Sequence, residues 1–239
     1  MLSLFETVTL LLIAAVHLGS APFYHHRPSA SRWLLDFSSG LGLGYAFLYL
    51  LPKIGYMTVA LANRFPDAHP LVTQRLYLYM LFGFLIYYLV DFKGSSARPS
   101  RLGLALNAIS FSIYNALVGA TVVHLNHGNL AIYVVAALVF CLHLFGVNSF
   151  LLRMYPKYFA RWMKWLFVVA VICGAIAGGY TEKHSHYVSV ATALVGGIII
   201  ILSVRLKLPA RARVNITPFL AGVFAAASAS VAYSLLGAF

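Results

Sequence analysis

Eight apolar segments follow one another along the sequence, separated by short polar gaps. They cover residues 4–21, 33–51, 72–90, 103–123, 130–152, 162–179, 187–204 and 217–239. Most approach the ~20 residues that a helix needs to cross a hydrocarbon layer of about 30 Å. The sequence therefore predicts an all-α polytopic membrane protein with eight transmembrane helices.

Basic residues are concentrated in alternate gaps between these segments. Four of the 17 Lys and Arg residues belong to the even-numbered gaps: Lys53, Arg64, Arg75 and Lys183. The other 13 belong to the odd-numbered gaps: Arg27, Arg32, Lys93, Arg98, Arg101, Arg153, Lys157, Arg161, Lys164, Arg205, Lys207, Arg211 and Arg213. Because basic loops stay cytoplasmic, both termini are expected outside. The net charge of +12 then reflects topology, and nucleic acid is not an expected partner since no contiguous basic tract exists.

Composition leaves no room for a separate soluble domain. Apolar residues make up 62% of the chain and charged residues 9%, against about a quarter in soluble domains. We expect one transmembrane domain over 1–239, in the lipid bilayer of a bacterial inner membrane. The longest gap, 52–71, contains Pro66 and Pro70 and is predicted to be an outer loop. Two kinds of protein partner are open for this chain: further copies of itself in a homo-oligomer, or the other subunits of a membrane complex.

Two segments share a pattern that suggests an inverted repeat. Gly40 precedes Pro52 by 12 positions, and Gly197 precedes Pro209 by the same 12 positions. Small residues let membrane helices approach closely, and inverted repeats are common in secondary transporters. The pattern predicts repeat one over about 4–91, central helices over 103–152 and repeat two over 161–239. Chance placement of glycines and prolines is the alternative explanation.

Four segments resemble the ZIP (Zrt/Irt-like) divalent metal transporters. One is the third segment, which reads Leu-Phe-Gly-Phe-Leu-Ile-Tyr-Tyr-Leu over 81–89 and is similar to the family's third helix. The second segment ends in Ala-Phe-Leu-Tyr-Leu-Leu-Pro over 46–52, like the family's second helix. Tyr-Asn-Ala-Leu-Val-Gly over 114–119 stands where the family has His-Asn-x-Pro-Glu-Gly, and Leu-His-Leu-Phe-Gly-Val-Asn over 142–148 stands against His-Glu-x-Pro-His-Glu. The resemblance extends loosely along the whole chain. It implies the ZIP-like 3+2+3 inverted-repeat arrangement with both termini outside.

The resemblance also implies which positions would hold the transported ion. Asn115 and His143 keep the family's residue at these positions, and Asn148 keeps an oxygen donor where the family has Glu. Four other ligand-type positions on the pathway are replaced: Tyr114, Val118, Leu144 and Val147. At the outer entrance, Tyr49 replaces His and Lys53 replaces Glu. A divalent metal ion is the one cofactor that the resemblance suggests.

Helices four and five retain no carboxylate, so a doubly charged ion would lack a countercharge at low dielectric. Two functions follow as hypotheses: a transporter-fold protein with a reduced or lost metal site, or a non-transporting accessory subunit of a membrane complex. His143 is either functional or a neutral imidazole hydrogen-bonded to Asn115 or Tyr114. No enzyme motif is present, and we expect no enzymatic activity.

Overall fold

The computed structural model describes residues 3–64, 69, 71, 74–94, 101–124, 130–181, 186–205 and 216–235, and the regular secondary structure there is entirely helical. Two of its eight helices contain a π-helical turn. α2 runs continuously through Pro28–Tyr45, the π-turn Ala46–Leu50 and Leu51–Arg64, and α6 through Pro156–Tyr158, the π-turn Phe159–Met163 and Lys164–Gly179. The others are α1 (Leu4–His26), α3 (Arg75–Gly94), α4 (Arg101–Val123), α5 (Leu130–Met154), α7 (His186–Arg205) and α8 (Ile216–Leu235).

The predicted all-α fold is confirmed for the described residues, which form eight helices. Six of the helices are long and apolar enough to cross a membrane: α1, α2, α4, α5, α6 and α7. The apolar parts of α3 and α8 are shorter, Arg75–Leu89 and Ile216–Val231. Length and composition are therefore compatible with insertion into a membrane.

The predicted outer loop over 52–71 is wrong in its first part. α2 continues through Pro52 to Arg64, because the π-turn directly before the proline relaxes the backbone ladder that a proline ring otherwise disrupts. Pro22 likewise lies inside a helix, α1, whereas two other prolines mark helix starts. Pro28 and Pro156 each begin a helix after one non-helical residue, Arg27 or Tyr155. Pro66, Pro70 and Pro209 lie outside the described residues.

The helices pack mainly in four pairs: α1 with α5, α4 with α6, α2 with α8, and α3 with α7. Along the α4–α6 contact, residue numbers increase in the same direction on both helices, since Ala116 contacts Gly174 and Ala120 contacts Gly178. These two helices therefore run in the same direction. Further contacts of α2 with α5 and of α4 with α7 join the pairs into one bundle.

Glycines allow the tightest of these crossings. A Cβ atom on Gly40 of α2 would overlap the carbonyl oxygen of Phe219, and one on Gly197 of α7 would overlap that of Met80. Each crossing is reciprocal. The partner helix has its own glycine three residues after the contacted residue, and that glycine contacts the first helix three residues before the first glycine. Gly222 of α8 meets Phe37, and Gly83 of α3 meets Leu194. The α2–α8 and α3–α7 pairs thus use the same spacing of contacts.

Candidate functional site

A cluster of buried polar side chains connects α1, α4 and α5 at the centre of the bundle. Nε2 of His17 lies 2.8 Å from Oδ1 of Asn115, and Nδ1 of His17 lies 3.1 Å from Oδ1 of Asn148. Ser20, one turn after Val16 on α1, is also buried and adjoins Asn148. We name His17, Ser20, Asn115 and Asn148 the central polar cluster.

A backbone carbonyl orients the amide of Asn115, and the hydroxyl of Ser20 orients the amide of Asn148. Nδ2 of Asn115 donates to the carbonyl of Phe111 at 2.8 Å. Nδ2 of Asn148 donates to Oγ of Ser20 at 3.0 Å, and the Ser20 hydroxyl donates to the carbonyl of Val16. Both Oδ1 atoms therefore point at the imidazole of His17. A neutral ring can donate to one of them and an imidazolium to both.

A second set of buried polar side chains makes no hydrogen bond within the described residues. It consists of Tyr87, Tyr114, His143 and Ser203, from α3, α4, α5 and α7, and we name it the unpartnered polar group. The ring centroids of Tyr114 and His143 are 6.1 Å apart. Nδ1 of His143 and Oγ of Ser203 lie 2.7 and 2.6 Å from the point that a Cβ on Gly42 would occupy. Glycine at this position thus permits both polar atoms to approach α2.

The proposed hydrogen bond from His143 to Asn115 or Tyr114 is wrong. Neither ring nitrogen of His143 has a partner in the described part of the chain. The side-chain oxygen of Asn115 already faces His17. The rings of Tyr114 and His143 meet edge to face, at an interplanar angle of 76°. His143 is nevertheless fully buried, so its two nitrogens are desolvated without a compensating bond.

The three candidate metal ligands are only partly brought together. Asn115 and Asn148 converge, but on the imidazole of His17, and His143 bonds to neither. The four replaced positions, Tyr114, Val118, Leu144 and Val147, are all buried in one apolar core. Among the described residues, no group of three or more His, Cys, Asp and Glu side chains could hold a metal ion.

The two residues assigned to the outer entrance lie together on α2. Nζ of Lys53 is 5.7 Å from the ring centroid of Tyr49, a cation–π distance. Tyr49 stacks on Tyr45 with ring centroids 5.1 Å apart, and Tyr45 meets Phe140 of α5 edge to face.

Four of the residues at this site were assigned no role from the sequence. His17 carried a usable signal, because an ionisable side chain in the middle of a membrane segment is a functional candidate by default. Ser20, Tyr87 and Ser203 carried none, since Tyr and Ser are common in membrane helices and their neighbours depend on which helices pack together.

Comparison with known proteins assigns no family to this arrangement. No protein-family model matches the sequence, and no curated protein matches it.

Proposed function

We propose that this chain is an integral membrane protein with the ZIP-like 3+2+3 arrangement, in which α1–α3 and α6–α8 are inverted repeats around α4 and α5. The reciprocal glycine crossings support this. Phe37 and Gly40 of α2 correspond to Leu194 and Gly197 of α7, each 157 positions later. Met80 and Gly83 of α3 correspond in the same way to Phe219 and Gly222 of α8, each 139 positions later. Chance placement of glycines would not reproduce both partners of each crossing.

The helix pairing supports the same repeat. An inverted repeat would make α1 equivalent to α6, α2 to α7, α3 to α8 and α4 to α5. Under this equivalence the α1–α5 pair corresponds to the α6–α4 pair, and the α2–α8 pair corresponds to the α7–α3 pair. The contacts of α2 with α5 and of α7 with α4 are also exchanged. The bias of basic residues between alternate gaps supports termini on the outer side.

Within this arrangement, we propose that the divalent-cation site of the resembled family is lost. The observation that carries the proposal is the engagement of both retained oxygen donors, Asn115 and Asn148, by the imidazole of His17. The neighbouring ligand-type positions supply apolar atoms at full burial, for example Val118 and Leu144. A divalent ion at this depth would lack carboxylates and would have to displace His17, so its dehydration would go uncompensated.

The function best supported is that of a ZIP-like transporter-fold protein that does not carry divalent metal ions. A second candidate is a non-transporting accessory or interaction subunit of a membrane complex. The closed packing of Tyr114, Val118 and Leu144, each fully buried at the replaced positions, favours this candidate.

Uptake into proteoliposomes tests the proposal. We expect that vesicles containing the purified protein accumulate Zn²⁺, Mn²⁺, Fe²⁺ and Cd²⁺ no faster than protein-free vesicles. Saturable uptake that disappears in Asn115→Ala or His143→Ala would overturn it, because those side chains would then act as ligands. An Arg101→Gln variant, exposed and remote from the site, controls for reconstitution efficiency.

A further inference from the structure

A long apolar groove runs along the outside of the bundle between α1 and α5. Its volume is about 770 Å³, and its α1 wall extends from Leu4 to Phe23. The α5 wall extends from Leu130 to Phe145, and Leu34 of α2 closes one end. Gly19 opens the floor of the groove, because a Cβ placed there would meet no atom within 4 Å.

The length and the chemistry of the groove suit an acyl chain. From Leu4 to Phe23, α1 rises about 28 Å, which is close to the ~30 Å depth of a hydrocarbon core. The described lining of the groove is apolar apart from the hydroxyls of Thr9 and Ser20. The groove thus offers an apolar surface parallel to the direction of lipid tails.

One end of the groove adjoins exposed positive charge. The backbone N–H of Arg27 donates to the carbonyl of Phe23 at 2.9 Å, so this arginine lies one turn beyond the groove wall. Arg32 lies in the second turn of α2, the helix that contributes Leu34 to the groove. Both arginines are exposed.

The backbone adds hydrogen-bond donors at the same place. α2 begins at Pro28 without a side-chain cap, so the N–H groups of Ser29 and Ala30 have no capping acceptor. Helix starts with free N–H groups favour phosphate oxygens. Basic residues immediately beside a membrane helix attract anionic lipid headgroups.

We propose that the α1–α5 groove is a binding site for an anionic phospholipid. An acyl chain lies in the groove over Gly19, and the headgroup phosphate lies against Arg27 and Arg32 at the start of α2. The groove shares Ser20 with the central polar cluster, but lipid binding in the groove requires no transport activity.

Native mass spectrometry of the purified full-length protein tests the proposal, using dioleoyl phosphatidylglycerol and dioleoyl phosphatidylcholine as probes. Because the acyl chains are identical, any difference in affinity reports the headgroup. We expect phosphatidylglycerol to bind about 30-fold more tightly, at roughly fivefold for each of two arginines. Arg27→Gln/Arg32→Gln should remove most of this preference, and Arg101→Gln, at the start of a helix that does not line the groove, should leave it intact.

A groove-filling variant tests the acyl-chain part separately. Gly19→Phe should weaken binding of both lipids at least tenfold, whereas Gly179→Phe, the matched change at another glycine with open space around it, should not. Free glycerol 3-phosphate should not compete, since it lacks the chains. Equal affinity for the two lipids, unchanged binding in Gly19→Phe, or conversion of a dimer to a monomer by Gly19→Phe without loss of lipid would overturn the proposal.

Discussion

Two fully buried histidines meet opposite surroundings in this protein. Each ring nitrogen of His17 has an amide oxygen within 3.1 Å, whereas both nitrogens of His143 have no partner in the described part of the chain. The two residues therefore contribute differently to stability although each is completely enclosed. His17 organises the centre of the molecule, and His143 occupies volume within it.

Alanine substitution should separate these two roles. His17→Ala leaves two buried amide oxygens facing a cavity, whereas His143→Ala removes two nitrogens that bond to nothing. Since the lost volume is the same, we expect the free energy of unfolding to fall further in His17→Ala, by about 1–2 kcal/mol. Reversible unfolding by sodium dodecyl sulfate in mixed micelles measures the difference. An equal or greater loss in His143→Ala would contradict the assigned hydrogen bonds.

At the scale of single helices, close approach depends on individual glycines. Gly196 and Gly197 are adjacent on α7 but face different environments. The nearest atom to a Cβ on Gly196 would be Cδ1 of Ile54 at 3.5 Å, an ordinary contact, whereas one on Gly197 would overlap the backbone of α3 at Met80. The α3–α7 crossing therefore requires glycine at one of the two positions only.

This difference predicts opposite effects of the same substitution. Gly197→Ala should destabilise the protein by about 2 kcal/mol or more, because α3 must move away. Gly196→Ala should be neutral or stabilising by up to about 1 kcal/mol, since alanine favours the helix. Thermal unfolding of the two variants in the same detergent compares them directly. Similar destabilisation by both would show that the crossing is not as tight as described.

The sequence predicts the helices better than it predicts their ends or faces. Eight apolar segments led to eight helices, since apolar length alone identifies a membrane helix. The end of α2 was predicted wrongly because Pro52 was expected to end the helix. No sequence pattern predicts the π-turn that accommodates this proline. The role of His17 was missed because α1 is apolar on most sides, so its inward face cannot be read from periodicity.

At the scale of the whole molecule, two sets of polar residues lie where the helix pairs meet. The central polar cluster joins α1 to α4 and α5, and the unpartnered polar group takes one residue from each of α3, α4, α5 and α7. Neither α4 nor α5 carries a carboxylate. This composition supports the proposed loss of a divalent-cation site, because such ions prefer anionic ligands.

Binding of Zn²⁺ to the purified protein, measured by isothermal titration calorimetry, tests this claim most directly. We expect no stoichiometric binding to the native chain. The combined variant Tyr114→His, Val118→Glu and Leu144→Glu should bind about one ion per chain, because it restores an imidazole and two carboxylates. Val118→Glu alone should bind no ion and should lower stability, since it buries an unpaired charge. Stoichiometric Zn²⁺ binding to the native chain that is lost in Asn115→Ala would contradict the account.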